Sequence, residues 1–207
     1  MDGIVQGYDA PHANLFPLSN YSFNLKSPRI EKDKSVTERF ERMKRMYDEQ
    51  GRLNSVDGVL IMHQHNHPHV LLLRIGTTFY KLPGGRLKPG EDDISGLKRK
   101  LNNKLAPEGQ ELDWEIGDLM CNYWRPHFDA TQLPYVPPHV TKPKECRKIF
   151  FVHMPESAEI FVPRNLNLIA VPIFELFENS RCYGPLIASI PLLLGRYNFN
   201  YIPPPSM

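Results

Sequence analysis

Cysteine is scarce in this chain: only Cys121, Cys146 and Cys182 occur, widely separated and never as a C-x-x-C pair. An odd, scattered set excludes a disulfide framework and the usual thiolate zinc site, and it fits a reducing compartment. Long apolar runs are missing too. No window of about 18 apolar residues exists to cross a bilayer, and the opening MDGIVQGYDAPHANLF lacks a basic segment followed by an apolar core. Neither a membrane span nor a signal peptide is expected, and the chain reads as an intracellular soluble protein. The third shortage is an excess of either charge. Lys and Arg total 25 against 23 Asp and Glu, which gives no general electrostatic footprint for nucleic acid. Any RNA binding has to come from a local site.

What is present is enough apolar material for one core, 41% of 207 residues. Residues 1–14 carry Gly, Asp, Asn and Pro without a period and are read as a flexible N-terminal extension, followed by a single domain over residues 15–207. Ser35-Val36-Thr37-Glu38 has the form of a capping box. Val36, Phe40, Met43 and Tyr47 then recur at helical spacing, and Gly51 suits a left-handed C-terminal cap, so a first helix is expected there. Strands are expected at residues 58–62 and 70–73, joined by a turn at Asn66-His67-Pro68, and at Phe79-Tyr80-Lys81, which runs into Pro83-Gly84-Gly85. A second helix starts at Asp92-Asp93, places Ile94, Leu97, Leu101 and Leu105 on one face, and stops before Pro107. Strands near 114–124, 149–152 and 160–162, a proline-rich loop from Pro126 to Pro143, and helical pieces at 172–177 and 186–194 complete the chain. The pattern implies an α/β fold with a mixed sheet between helical layers.

The stretch Gly85-Arg86-Leu87-Lys88-Pro89-Gly90-Glu91, followed seven residues later by Arg99, resembles the Nudix box, G-x5-E-x7-R-E-U-x-E-E-x-G-U with U apolar. Gly85, Glu91, Arg99 and Leu101 are in register, and Lys81-Leu82-Pro83-Gly84 is a lead-in common in that family. The second half departs. Lys100, Asn103 and Lys104 stand where the family carries metal-binding glutamates, and Ala106 replaces its glycine. Magnesium and manganese need oxygen ligands, which ammonium groups do not supply, so neither a metal nor a catalytic residue is expected. Glu91 and Arg99 are then read as a structural pair that holds the loop.

The likeness extends well outside the box. Asn14-Leu15-Phe16-Pro17-Leu18-Ser19-Asn20-Tyr21, Pro68-His69-Val70-Leu71-Leu72-Leu73, Trp124-Arg125-Pro126, Thr141-Lys142-Pro143-Lys144-Glu145 and Tyr183-Gly184-Pro185 make the chain, over about residues 14–201, similar to the small Nudix-fold subunit of the pre-mRNA cleavage factor I complex. That resemblance implies a Nudix α/β/α sandwich around a mixed β-sheet and a nuclear homodimer with no cofactor. It also implies binding to UGUA elements in pre-mRNA, a part in poly(A) site choice, and pairing with a larger subunit that carries an RNA-recognition domain. Residue by residue, Glu31 and Arg39 match positions whose side chains contact base edges in the family, a carboxylate accepting and a guanidinium donating. Phe79 matches its base-stacking aromatic, flanked by Thr78 as a hydroxyl contact and Leu82 as an apolar wall. Asp57 stands where the family has a longer glutamate. Tyr135 and Tyr183 match aromatics set against the larger subunit, whereas Leu133 replaces a tyrosine of animal members. Without the resemblance, these charges read as solvated helix surface and these rings as ordinary core.

Two further signals and two alternatives belong beside this reading. His63, His65, His67 and His69 alternate, which would align imidazoles on an extended strand, but the run spans a turn and lacks an adjacent carboxylate or cysteine. Cys146 lies among Lys144, Arg147 and Lys148, a setting that lowers a thiol pKa. The alternative functions are a Nudix hydrolase and a non-cleaving sensor of dinucleoside polyphosphates.

Overall fold

A computed structural model of the chain describes residues 10–30, 33 and 35–204. In chain order these form β1 (His12–Leu15), a 3-10 turn at Leu18–Asn20, β2 (Tyr21–Lys26), α1 (Val36–Gln50), β3 (Leu53–Gln64), β4 (His67–Ile75), β5 (Phe79–Lys81), β6 (Gly84–Arg86), α2 (Asp93–Leu105), β7 (Glu115–Arg125), β8 (Glu145–His153), β9 (Ala158–Pro163), β10 (Asn167–Pro172), α3 (Ile173–Leu176), α4 (Ser180–Ala188), α5 (Ile190–Leu194) and β11 (Asn198–Tyr201).

The central sheet runs β10-β4-β3-β8-β7, with β5 added to β4 and β6 to β3. It is mixed: β3 and β8 are parallel, and the other pairs are antiparallel. Successive strand residues point to opposite faces, and that period sorts the core into two halves. Val59, Ile61, Val70, Leu72, Ile149 and Phe151 meet Leu176, Ile187, Ile190 and Leu194 of α3, α4 and α5. On the reverse face, Leu60, Met62, Leu71, Leu73 and Val152 meet Leu97, Leu101 and Leu105 of α2. Trp114 is fully buried on this side and donates its indole N–H to Asn102 Oδ1 at 2.8 Å, which ties the entrance of β7 to α2. The expected helix-sheet-helix sandwich is therefore present.

Both long helices start as their residues imply. Ser35 Oγ accepts from the Glu38 amide and Asp92 Oδ2 from the Ser95 amide, each satisfying a first-turn donor. Several boundaries differ from expectation. The β3–β4 turn falls one residue early, on His65 and Asn66, which both have positive φ as a two-residue hairpin requires. Val36 and Ile94 lie in the first turns of their helices but stay exposed. Strand β1 takes in His12, Ala13 and Asn14 of the segment assigned to the N-terminal extension: it pairs in parallel with β11 and buries Ala13 and Leu15. Strands β2, β6, β10 and β11 were not expected either. Each is short or held by pairing distant in sequence: β2 lies on β9, and β10 on β4. The proline-rich loop folds back, with Trp124 and Leu133 exchanging backbone hydrogen bonds of 2.7 and 2.9 Å.

Candidate functional site

Strand β3 changes character along its length. Its second half pairs with β4, while its first half pairs with β6 and β8. Ser55 and Asp57 continue the alternation set by Val59 and Ile61, and on β8 Glu145 and Arg147 continue that set by Ile149 and Phe151. Polar residues thus occupy inward positions of two neighbouring strands. Ser55, Asp57 and Glu145 are nearly fully covered.

Their charges are matched in a chain. Glu145 accepts from Ser55 Oγ at 2.6 Å and from Arg125 Nε at 3.0 Å. Burial alone would raise its pKa, but Arg147, Ser55 and Arg125 outweigh that and hold it at about 2. Arg147 Nε also lies 3.2 Å from Asp57 Oδ2. That contact is an ion pair by distance and not a hydrogen bond by alignment, since both atoms are buried without a hydrogen-bond partner. Burial pushes the Asp57 carboxyl upward, opposed by Arg147, Lys104 and Lys81.

Helix α1 brings Arg39 to this network. Burial pulls the Arg39 pKa down, helped by Arg147 and Arg125 and opposed by Glu145 and Asp33. The Arg125 guanidinium carbon lies 5.7 Å from the centroid of Phe40, one residue along. Strand β5 supplies Lys81, driven to about 8 by burial and by Arg29, with Asp57 opposing. Phe79 is on the same side of β5 as Lys81 and is 51% exposed, unusual for a phenylalanine that starts a strand. Thr78 precedes it in an exposed turn. The result is a local basic basin with an uncovered ring at its edge, in a chain of near-neutral total charge.

Of the sequence-derived site residues, Arg39 and Asp57 meet in this network, and Thr78 and Phe79 lie on its β5 border. Leu82 is 3% exposed and packed in the core, so its side chain supports the link between β5 and β6 from beneath. Glu31 lies outside the described residues. Tyr135 is 57% exposed on the long loop. Tyr183 is half-buried, its ring 4.8 Å from Tyr80 and its hydroxyl donating to Glu175. The sequence reading missed Arg147, Glu145, Lys81 and Arg125. A signal for two of them was available, since Glu145 and Arg147 are charges at the buried phase of an otherwise apolar strand.

Residues 11–197 match a Nudix family model described as nucleotide hydrolase. The pre-mRNA cleavage factor Im 25 kDa subunit 2 of Arabidopsis thaliana is 53% identical over 191 residues, covering 91% of this chain and 96% of that protein. The chain belongs to the Nudix-fold family of cleavage factor Im 25 kDa subunits. Within it, cleavage and polyadenylation specificity factor subunit 5 of Dictyostelium discoideum is 47% identical over 187 residues, 89% of this chain and 92% of that protein. Cleavage factor Im 25 kDa subunit 1 of Arabidopsis thaliana is 42% identical over 204 residues, 96% and 92% of the two chains.

Membership in a Nudix family raises the question of a divalent metal, and the residues do not fit one. Glu91 accepts from Arg99 Nε at 2.6 Å and Nη2 at 2.5 Å, and from the Lys88 amide at 2.8 Å. The hydrogen bonds from Arg99 chiefly hold its pKa near 2. This carboxylate is already engaged. On α2, Lys104 is buried and donates to the Gly84 carbonyl, while the Lys100 side chain passes over Gly85. Among the described residues, no three His, Cys, Asp or Glu side chains gather where an ion could be held. His63 is instead bound through Nε2 to the Ile202 carbonyl at 2.7 Å, and His69 Nδ1 to the His67 carbonyl at 2.8 Å. Cys146 corrects the electropositive reading: burial raises its pKa and outweighs Arg52 and Lys148.

The buried lysines give a pH prediction. Burial and the charge of Lys81 push Lys104 down to about 7, against an unfolded value near 10.5. Between about pH 7 and 8.5 the unfolded chain then binds more protons than the folded one, so stability rises with pH. The wild type should gain on the order of 1 kcal/mol across this interval. Urea midpoints at pH 7.0 and 8.5 should show the rise, and Lys104→Met should reduce it. Above that interval Cys121 and Cys146, raised chiefly by burial, oppose the trend. A wild-type midpoint that falls from pH 7.0 to 8.5 would contradict the assignment.

Proposed function

We propose that this chain is a non-catalytic, sequence-specific RNA-binding subunit that recognises UGUA elements in pre-mRNA during 3'-end cleavage and polyadenylation and so biases poly(A) site choice. The observation that carries this reading is the half-exposed Phe79 ring beside the basic basin of Lys81, Arg39 and Arg147. Bases unstacked from a single strand stack on such rings, and guanidinium groups donate to uracil and guanine carbonyls. The names of the relatives place those proteins in pre-mRNA cleavage and polyadenylation. Lysines at the metal-binding positions of the box favour binding over hydrolysis.

In this reading the protein acts in the nucleus as a homodimer, with a larger subunit carrying an RNA-recognition domain. Exposed Tyr135 and the half-buried Tyr183 ring meet that subunit. Arg39 and Glu31 contact base edges, Asp57 sets the charge of the pocket floor, and Thr78 contributes a hydroxyl beside the stacked base.

The test is affinity of the isolated protein for a UGUA-containing oligonucleotide and for each single-base variant. Arg39→Ala should weaken UGUA binding several-fold more than binding to a scrambled sequence, because base-edge contacts carry sequence information and phosphate contacts do not. Equal losses on both RNAs would assign Arg39 to the backbone. The family description as nucleotide hydrolase motivates one alternative, and the same fold would also serve a sensor of dinucleoside polyphosphates. Magnesium-dependent turnover abolished by Glu91→Gln would establish the hydrolase.

A further inference from the structure

Gly84 and Asp57 are pressed together more tightly than any other residue could allow. They are register partners across β6 and β3, and a Cβ on Gly84 would come within 2.2 Å of the Val56 carbonyl and 2.3 Å of Asp57 Oδ1. Two oxygen functions lie near the end of the Lys104 side chain: the Gly84 carbonyl, and an Asp57 carboxylate whose Oδ2 is ion-paired with Arg147 at 3.2 Å but buried without a hydrogen-bond partner. A carbonyl and a carboxylate converging in a buried place form half of a hard-cation site. The group that enters is the side chain of Lys104, 4% exposed, donating to the Gly84 carbonyl and close enough to Asp57 for their charges to interact. Its position in the box is one at which Nudix hydrolases carry a metal-binding glutamate.

We propose that the Lys104 amino group is a tethered stand-in for the divalent ion of catalytic Nudix proteins, holding the Gly84 carbonyl and balancing Asp57 from the helix that once supplied the metal ligand. The substitution is reciprocal. A carboxylate on α2 needs an external ion to sit against Gly84 and Asp57, whereas an amine on the same helix supplies the donor itself. Lys104 is thus a positioning residue: it fixes the start of β6 at Gly84. The inference rests on the box and not on RNA binding, so its test uses no RNA.

Lys104→Glu should convert the site into one that takes manganese. In about 10 mM manganese the variant's thermal midpoint should rise by about 5 °C, as expected for an ion bound at about 0.1 mM to the folded state alone. Selective paramagnetic broadening should appear at Gly84 and Asp57. Lys104→Met and the double variant Lys104→Glu with Asp57→Asn should show neither effect. A folded Lys104→Glu protein without selective broadening would overturn the proposal. If that variant folds only when manganese is present, the proposal stands. If it folds in neither condition, the wild type decides: broadening at Gly84 and Asp57 would mean that an ion enters despite the amine and would overturn it, whereas unperturbed resonances support it.

Discussion

Glu145→Ala should destabilise the folded protein by about 3–5 kcal/mol, the cost found when one partner of a buried ion network is removed. The side chains of Glu145 and Arg125 are each only 4% exposed. With the carboxylate gone, Arg125 loses its ion-pair partner and keeps its contacts to the Asp129 carbonyl and the Phe40 ring, Ser55 loses its acceptor, and Arg147 loses one of its two opposing charges. Arg39 would then face Arg147 and Arg125 with Asp33 as the remaining compensating charge. The thermal midpoint should drop by about 10 °C in a chain of this length. Glu145→Gln should cost less, because its amide oxygen still accepts from Ser55. Equal midpoints for wild type and Glu145→Ala would show that Arg125 and Arg147 are solvated well enough without the carboxylate. The acid limit follows the same logic. Glu145 and Glu91 have depressed pKa values, so their stabilising contributions are present above the unfolded carboxylate range and are lost as the pH falls toward about 2.

That network also marks where sequence reading reached its limit. Helices α1 and α2 were legible because their signals are local: Ser35 and Asp92 are caps within three residues of the amides they serve, and Leu97, Leu101 and Leu105 keep one helical face. Strands β3 and β4 announced themselves by apolar runs, and β5 by its place before Pro83-Gly84-Gly85. Strand β11 did not, since Asn198 and Asn200 are polar and its order comes from pairing with β1 at the opposite end of the chain. The site divides in the same way. Phe79, Thr78, Arg39 and Asp57 entered through family likeness, and the fold then gave Arg39 and Asp57 a common electrostatic surrounding, with Phe79 and Thr78 on its β5 border. Arg147 and Lys81 stayed hidden because their significance depends on strand pairing: Arg147 is brought opposite Ser55 across ninety-odd intervening residues. The burial of Leu82 was not legible, since a residue in the short link between β5 and β6 gives no periodic cue to the face it takes.

Phe79→Ala should weaken binding to UGUA-containing RNA by about ten-fold or more, the loss of a base-aromatic stack worth about 1–3 kcal/mol. The fold should not pay for the change. Phe79 is half-exposed, begins β5, and its backbone pairing with Ile75 survives truncation of the ring, so the thermal midpoint should move by no more than about 2 °C. This separation makes the variant more informative than one in the buried network, where a binding loss could follow from unfolding. Phe79→Tyr or Phe79→Trp keeps a π face and should retain most of the affinity, whereas Phe79→Leu keeps apolar area without the ring and should behave more like alanine. Titration by fluorescence anisotropy at fixed salt would measure all four variants. If Phe79→Leu bound as tightly as the wild type, the ring would be acting as bulk hydrophobic cover. If Phe79→Ala did so, the base would have to lie elsewhere in the basin, against Arg39 or Arg147.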